Sequence, residues 1–168
     1  GSDYLDGLVD ESDASEPTTE AREAACKFAV PRLQEEQRQT LVDFGVQFDR
    51  WFSESSIHGQ SVLQKVNVAG VELEARIQPD SSVWKTVVEL EGSGDIYEKE
   101  GALWFRSEQR GDEKDRVFLK SNGYTTYFAA DSAYHRDKLE RGFDMVVDVW
   151  GADHHGYVSR IRAVLEAL

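Results

Sequence analysis

Residues 142–160, Gly-Phe-Asp-Met-Val-Val-Asp-Val-Trp-Gly-Ala-Asp-His-His-Gly-Tyr-Val-Ser-Arg, constrain the fold more than any other stretch. An apolar run, Met145 to Trp150 interrupted only by Asp148, reads as a strand. It leads into the glycine-flanked triplet Asp153-His154-His155, and Val158, Ile161, Val164, Leu165 and Leu168 then follow at helical spacing. Strand, glycine-bounded polar loop and helix in that order deliver side chains and free N–H groups to the carboxyl end of a strand. Open α/β sheets bind nucleotides there. Residues 129–141 read as a helix with Gly142 as its stop, so this end of the chain has the helix–strand–loop–helix order of half a doubly wound fold.

The preceding residues divide by composition and periodicity. Residues 3–17 are rich in aspartate and glutamate and poor in apolar side chains, too little to offset the entropy of ordering, and are expected to be an acidic lead-in. Gly1-Ser2 has the form of a tag remnant. Thr18 to Phe44 favours helix, with Pro31 expected to kink or divide it near Val30, and Gly45 to end it. Val46 to Phe52 alternates in the manner of a strand. Val62 to Ile77 around Ala69-Gly70, and Ile96 to Arg106 around Lys99-Glu100-Gly101, read as β-hairpins, the first (62–78) resembling an insertion. Asp80 or Ser81 is placed to cap a helix over 83–90 that ends at Gly92-Ser93-Gly94. The run Gly111 to Arg116 reads as a solvated charged turn before a strand over 117–120, and Ser121-Asn122-Gly123 as the next turn.

The charge balance excludes one class of function for the chain acting alone. Nineteen basic against 32 acidic residues, a net of −13, do not supply the phosphate contacts that hold nucleic acid. A single cysteine, Cys26, excludes an internal disulfide framework and fits a reducing, cytoplasmic location. No apolar run is long enough for a helical membrane span.

Two clusters carry candidate chemistry. In the loop, Gly151 lets backbone approach a ligand, Asp153 can accept from a ribose diol, and His154 can donate to a phosphate or stack on a base; the same loop could be a solvated connection. Tyr127 and Asp131 lie four apart, so phenol and carboxylate share a helical face if the helix starts at Tyr127. Such a pair suits a planar guanidinium, whose paired N–H groups a carboxylate accepts bidentately, or else a packing aromatic beside an N-terminal helix acid. Lys114 and Arg116 are possible phosphate contacts, whereas His58, His135 and Cys26 read as structural. Asp153, His154 and His155 are competent metal ligands, but no further ligand pair completes a shell, so no metal centre is expected. No Gly-x-Ser-x-Gly elbow or P-loop occurs.

Several longer stretches resemble the catalytic domain of bacterial-type arginyl-tRNA synthetases, which are class I aminoacyl-tRNA synthetases. They are Phe44 to Glu54, Tyr97 to Arg106, Gly111 to Val117, Thr126-Tyr127-Phe128 with Asp131, Ala133-Tyr134-His135 with Lys138, Arg141 to Asp144, and Trp150 to Val158. The resemblance implies a partial Rossmann-like α/β catalytic domain over 18–168 with a β-hairpin insertion. It implies that Tyr127, Asp131 and His154 hold arginine, and that Gly151, Asp153 and His154 contact the nucleotide. It further implies ATP with Mg2+ as substrate complex, and arginine and tRNA as partners of a longer parent enzyme. The HIGH-like and KMSKS-like motifs of that class do not occur in these 168 residues, so the chain by itself is expected to be an inactive internal piece. Ser159 stands where the family pattern has proline. Two alternatives compete: a metal-dependent phosphoesterase of the Asp-His-His type, and a non-catalytic ligand-binding or interaction module.

Overall fold

The computed structural model describes residues 18–168, and the acidic lead-in expected over 1–17 lies outside them. The chain separates into two compact units, one through Trp51 and one from Phe52 to Leu168.

In the first unit, helix α1 (Thr19–Asp43) begins where the Thr18 hydroxyl accepts from the Ala21 N–H, satisfying one orphan donor of the first turn. The helix runs through Pro31 without a break, against the expectation of two helices. Proline deprives one carbonyl of its N–H partner and crowds the preceding turn. Beside it, the Arg32 guanidinium donates to the Phe28 carbonyl at 2.8 Å, and the exposed surface leaves the remaining groups to water. Gly45, at φ 76°, turns the chain back. The strand expected over 46–52 is absent, because no described segment pairs with it. Phe48 and Trp51 instead fold onto each other and onto α1, with Phe48 edge-on to Trp51 and the Arg38 guanidinium 4.8 Å from the Trp51 ring.

The second unit opens with the single helical turn α2 (Ser55–His58), followed by strands β1 (Val62–Val68) and β2 (Val71–Ile77). These two pair antiparallel from Val62↔Ile77 to Val68↔Val71. Ala69 and Gly70 sit at φ 53° and 77°, a two-residue turn of the kind that matches strand twist. The hairpin's inner face buries Val68, Ala75 and Ile77. Helix α3 (Ser82–Gly92) is capped by the Ser81 hydroxyl, which accepts from the Trp84 N–H, and buries Val83, Trp84, Val87 and Leu90.

Strands β3 (Ile96–Lys99), β4 (Ala102–Phe105) and β5 (Arg116–Leu119) form an antiparallel sheet in that order. Its inner face meets helix α4 (Tyr127–Glu140) in an aromatic cluster: Phe118 stands edge-on to Phe128 at 5.0 Å between centroids, with Phe105 at 5.6 Å from Phe118. Thr126 fixes where α4 starts, donating its hydroxyl proton to the Val117 carbonyl while accepting from the Ala129 N–H. The turn at Gly123 (φ 82°) holds the first hairpin to this sheet: its carbonyl accepts from the Arg76 N–H at 2.7 Å. A Cβ at position 123 would lie 3.0 Å from the Glu74 carbonyl oxygen, so glycine is required by space as well as by φ.

The charged run 111–116 is only partly solvated as expected: Gly111, Glu113 and Lys114 are exposed, but Asp112 is not. The Asp112 carboxylate is fully buried and accepts from Arg116 at 2.6 and 2.9 Å, from the Glu113 N–H, and from the Ser159 hydroxyl on the last helix, α5 (Tyr157–Ala167). Arg116 is thereby committed to Asp112 and is not a free phosphate contact. Arg110 adds a second tie, gripping Asp95 through two bonds of 3.0 Å and reaching the Glu166 carbonyl near the end of α5. Burying a charge without partners is prohibitive, and here a guanidinium and two further donors replace the water.

Hydrogen bonding to Arg116 outweighs the opposing effect of burial and holds the Asp112 carboxyl down to about 2, against an ordinary 3.8. A carboxyl depressed on folding stabilises the fold fully above its unfolded value and loses that contribution as pH falls through the folded one. Between about pH 4 and about pH 2, the stability advantage of wild type over Asp112→Asn is therefore expected to shrink by about 2 kcal/mol. Urea titrations of both proteins across that range measure it.

Met145 to Trp150 is extended but unpaired, correcting the expected strand. Among the described residues, 143–150 make no backbone–backbone hydrogen bond. The period of two survives in the exposure: Met145, Val147 and Val149 are 79%, 72% and 92% exposed, whereas Val146 and Trp150 are about half as exposed and Asp148 is mostly covered. All described strand pairs are antiparallel, so the architecture here is mixed α/β with small sheets, and no parallel doubly wound sheet is formed by these residues.

Candidate functional site

One face of α4 builds the site. Tyr127, Asp131, Tyr134, His135 and Lys138 follow the i, i+4, i+7, i+8, i+11 stripe and line a cavity of about 260 Å³. Trp150, His154, Tyr157 and Ile161 supply the facing wall. The rings of Trp150 and His154 stack at 6.5 Å between centroids, and His154 lies 5.7 Å from Tyr157. Tyr127, Asp131 and His154, singled out in the sequence, thus share one cavity. Gly151 and Asp153 sit in the exposed loop and do not line it, and Asp153 pairs with His154 at 3.5 Å.

Asp131 is the distinctive group. Among the described residues no donor hydrogen-bonds its carboxylate and no cation pairs with it, although the residue is partly buried. Burial, with Glu54 nearby, raises its carboxyl above the ordinary range against the weaker opposing pull of His135, Lys138 and His154. A carboxylate kept in this state favours a cation arriving from outside. Lys138 does not neutralise it, because its ammonium is bound to Asp148. Burial would raise the Asp148 carboxyl, but Lys138 and His135 outweigh it and hold that group below the ordinary range.

The Tyr127 ring is 79% exposed and also borders a second, polar cavity of about 460 Å³ with Glu54, His58, Lys120 and Asn122 among its walls. His58 is tied to Glu54 at 3.3 Å. No three His, Cys, Asp or Glu side chains converge to hold a metal ion among the described residues. No described helix is long and apolar enough to cross a membrane.

Sequence reasoning missed Tyr134, Lys138, Trp150 and Tyr157 as walls of the site. The first two were accessible as the continuation of the Tyr127/Asp131 stripe. Trp150 and Tyr157 arrive by tertiary packing and leave no local signal.

Comparison with known proteins bears on the whole of this region. No family model matches the chain. An arginine–tRNA ligase of Geobacter sp. (strain M21) is 54% identical over 130 residues, 77% of this chain and 20% of that protein. One from Moorella thermoacetica is 44% identical over 147 residues, covering 88% and 23% respectively. A solved Campylobacter jejuni structure described as an arginyl-tRNA synthetase superposes with a TM-score of 0.72 at 32% identity, over 89% of this chain and 28% of that one. The chain spans about a fifth of the length of the curated relatives it matches. In sequence and in fold, this chain is similar to one segment of arginyl-tRNA synthetases.

Proposed function

We propose that this chain is the amino-acid-recognition part of an arginine–tRNA ligase, in which Asp131 and Tyr127 receive the guanidinium of arginine. The observation that carries the reading is the Asp131 carboxylate, partly buried, without a partner among the described residues, and aimed into a cavity walled by aromatic rings. A guanidinium offers paired N–H donors to the carboxylate and a flat face to the rings of Tyr127, Trp150 and His154. The exposed loop at Gly151, Asp153 and His154 then lies where a nucleotide ribose could meet the arginine carboxylate.

In the longer parent, ATP with Mg2+ and tRNA are the other reactants, and the location is the cytoplasm. The arginine carboxylate attacks the α-phosphate and pyrophosphate leaves; the arginyl group then passes to the tRNA 3′ end. The residues of this chain contribute position and charge, and no covalent enzyme intermediate is required. In that setting the 145–150 segment, already extended and alternating in exposure, becomes a strand of a Rossmann-like sheet once neighbours pair with it.

Calorimetric titration with L-arginine, L-citrulline and L-lysine tests the reading. Arginine is expected to bind at least about tenfold more tightly than citrulline, which has nearly the same shape without the charge. Equal heats for arginine and citrulline would exclude a guanidinium site. The chain by itself is expected to give no arginine-dependent ATP–pyrophosphate exchange, since neither class I signature motif is present to hold the ATP phosphates. Exchange above the no-arginine background would contradict this.

A further inference from the structure

His135 lies beneath the cavity with only 6% of its side chain exposed, and both ring nitrogens face oxygen acceptors. Nδ1 is 2.7 Å from the backbone carbonyl of Asp131, and Nε2 is 3.0 Å from Asp148 Oδ2. A carbonyl oxygen only accepts, so Nδ1 must carry a proton. A neutral ring would then turn the Nε2 lone pair toward a carboxylate at hydrogen-bond distance, which is repulsive. One further proton must therefore lie between Nε2 and Oδ2. It belongs to the imidazole, because Asp148 also accepts from Lys138 and is stabilised as the anion.

The consequence is mechanical. Segment 143–150 has no backbone hydrogen bond of its own among the described residues, so the polar fastening of its middle to α4 comes through Asp148. Trp150, two residues on, stands 6.0 Å from His135 between ring centroids and carries the stacked His154 with it.

We propose that His135 is a positioning residue. As an imidazolium it donates one N–H to the Asp131 carbonyl and the other to the Asp148 carboxylate, and so holds the Trp150 and His154 wall against the α4 face that presents Tyr127 and Asp131. This rests on the guanidinium reading for its effect on arginine, but not for the charge state of the ring. The titratable groups facing the clamp are Asp131 and Lys138 on α4, Asp148 on the extended segment, His154 on the loop, Tyr157 on α5, and Glu54 toward Asp131.

Two measurements on the whole chain separate the possibilities. Long-range proton–nitrogen-15 spectra, with the four histidines assigned by single substitution, report ring protons directly. In wild type His135 is expected to show a proton on each ring nitrogen, one facing the Asp131 carbonyl and one facing the Asp148 carboxylate. In Asp148→Asn, where an amide can donate to Nε2, it is expected to show the neutral Nδ1–H form. A wild-type His135 that lacks either proton overturns the proposal. Arginine titrations then test the clamp: His135→Asn, which keeps a donor for the Asp131 carbonyl but cannot reach Asp148, is expected to bind about tenfold more weakly. Unchanged affinity in His135→Asn sinks the clamp. Absence of arginine binding by wild type, with a doubly protonated His135 and shifted Trp150 indole resonances in His135→Asn, would support the clamp while removing the guanidinium site.

Discussion

Asp131→Asn is expected to weaken arginine binding about a hundredfold and, in the same protein, to raise the urea midpoint slightly. The two effects have one cause. The carboxylate is partly removed from water and has no protein donor among the described residues, so its charge is costly to the free fold and valuable to a cationic ligand. Because its carboxyl titrates above the unfolded value, its ionisation disfavours the fold at neutral pH, and that cost is relieved as pH falls and the group protonates. Asparagine keeps the shape and removes the charge at every pH. Calorimetry and urea titration on the same preparation distinguish a ligand site from a structural acid: a structural acid would lose stability on substitution. Tyr127→Phe, which removes one hydroxyl from an exposed ring, should cost far less than Asp131→Asn and leave stability unchanged.

Phe118→Ala is expected to destabilise the fold by about 3–5 kcal/mol, the largest effect on stability from a single substitution in the second unit. Phe118 is fully buried where β5 meets α4, in contact with Phe105 and Phe128, so its removal leaves a cavity in the core. Against a total stability of about 5–15 kcal/mol for a domain of this size, that is a large fraction. A urea titration should show a lower midpoint with an unchanged slope. Since Thr126 caps α4 while bonded to Val117, the carbonyl neighbour of Phe118, loosening this packing should also misplace Tyr127 and Asp131 and weaken arginine binding.

Features governed by a few neighbouring residues are legible in the amino-acid order itself. The hairpin turns at Ala69-Gly70 and Glu100-Gly101 require positive φ, and both pairs adopt it. Ser81 caps α3, and Tyr127 with Asp131 fall on one helical face as their spacing requires. Long stretches of similarity also make the family legible, although the chain spans only part of its relatives.

Where a feature depends on a distant partner, local pattern misleads. Val46 to Phe52 and Met145 to Trp150 alternate as strands do, yet a strand exists only when a neighbour accepts its hydrogen bonds, and among the described residues neither has one. The Gly111 to Arg116 run looks solvated because charge alone says nothing of the Ser159 hydroxyl and the packing that make burial of Asp112 tolerable. Backbone propensity, capping and turn chemistry act within about four residues and are written in the sequence. Which carboxylate is left without a donor, and which one faces the His135 ring, follows from groups distant along the chain, His135 and Asp148 being 13 positions apart, and only the tertiary structure decides it.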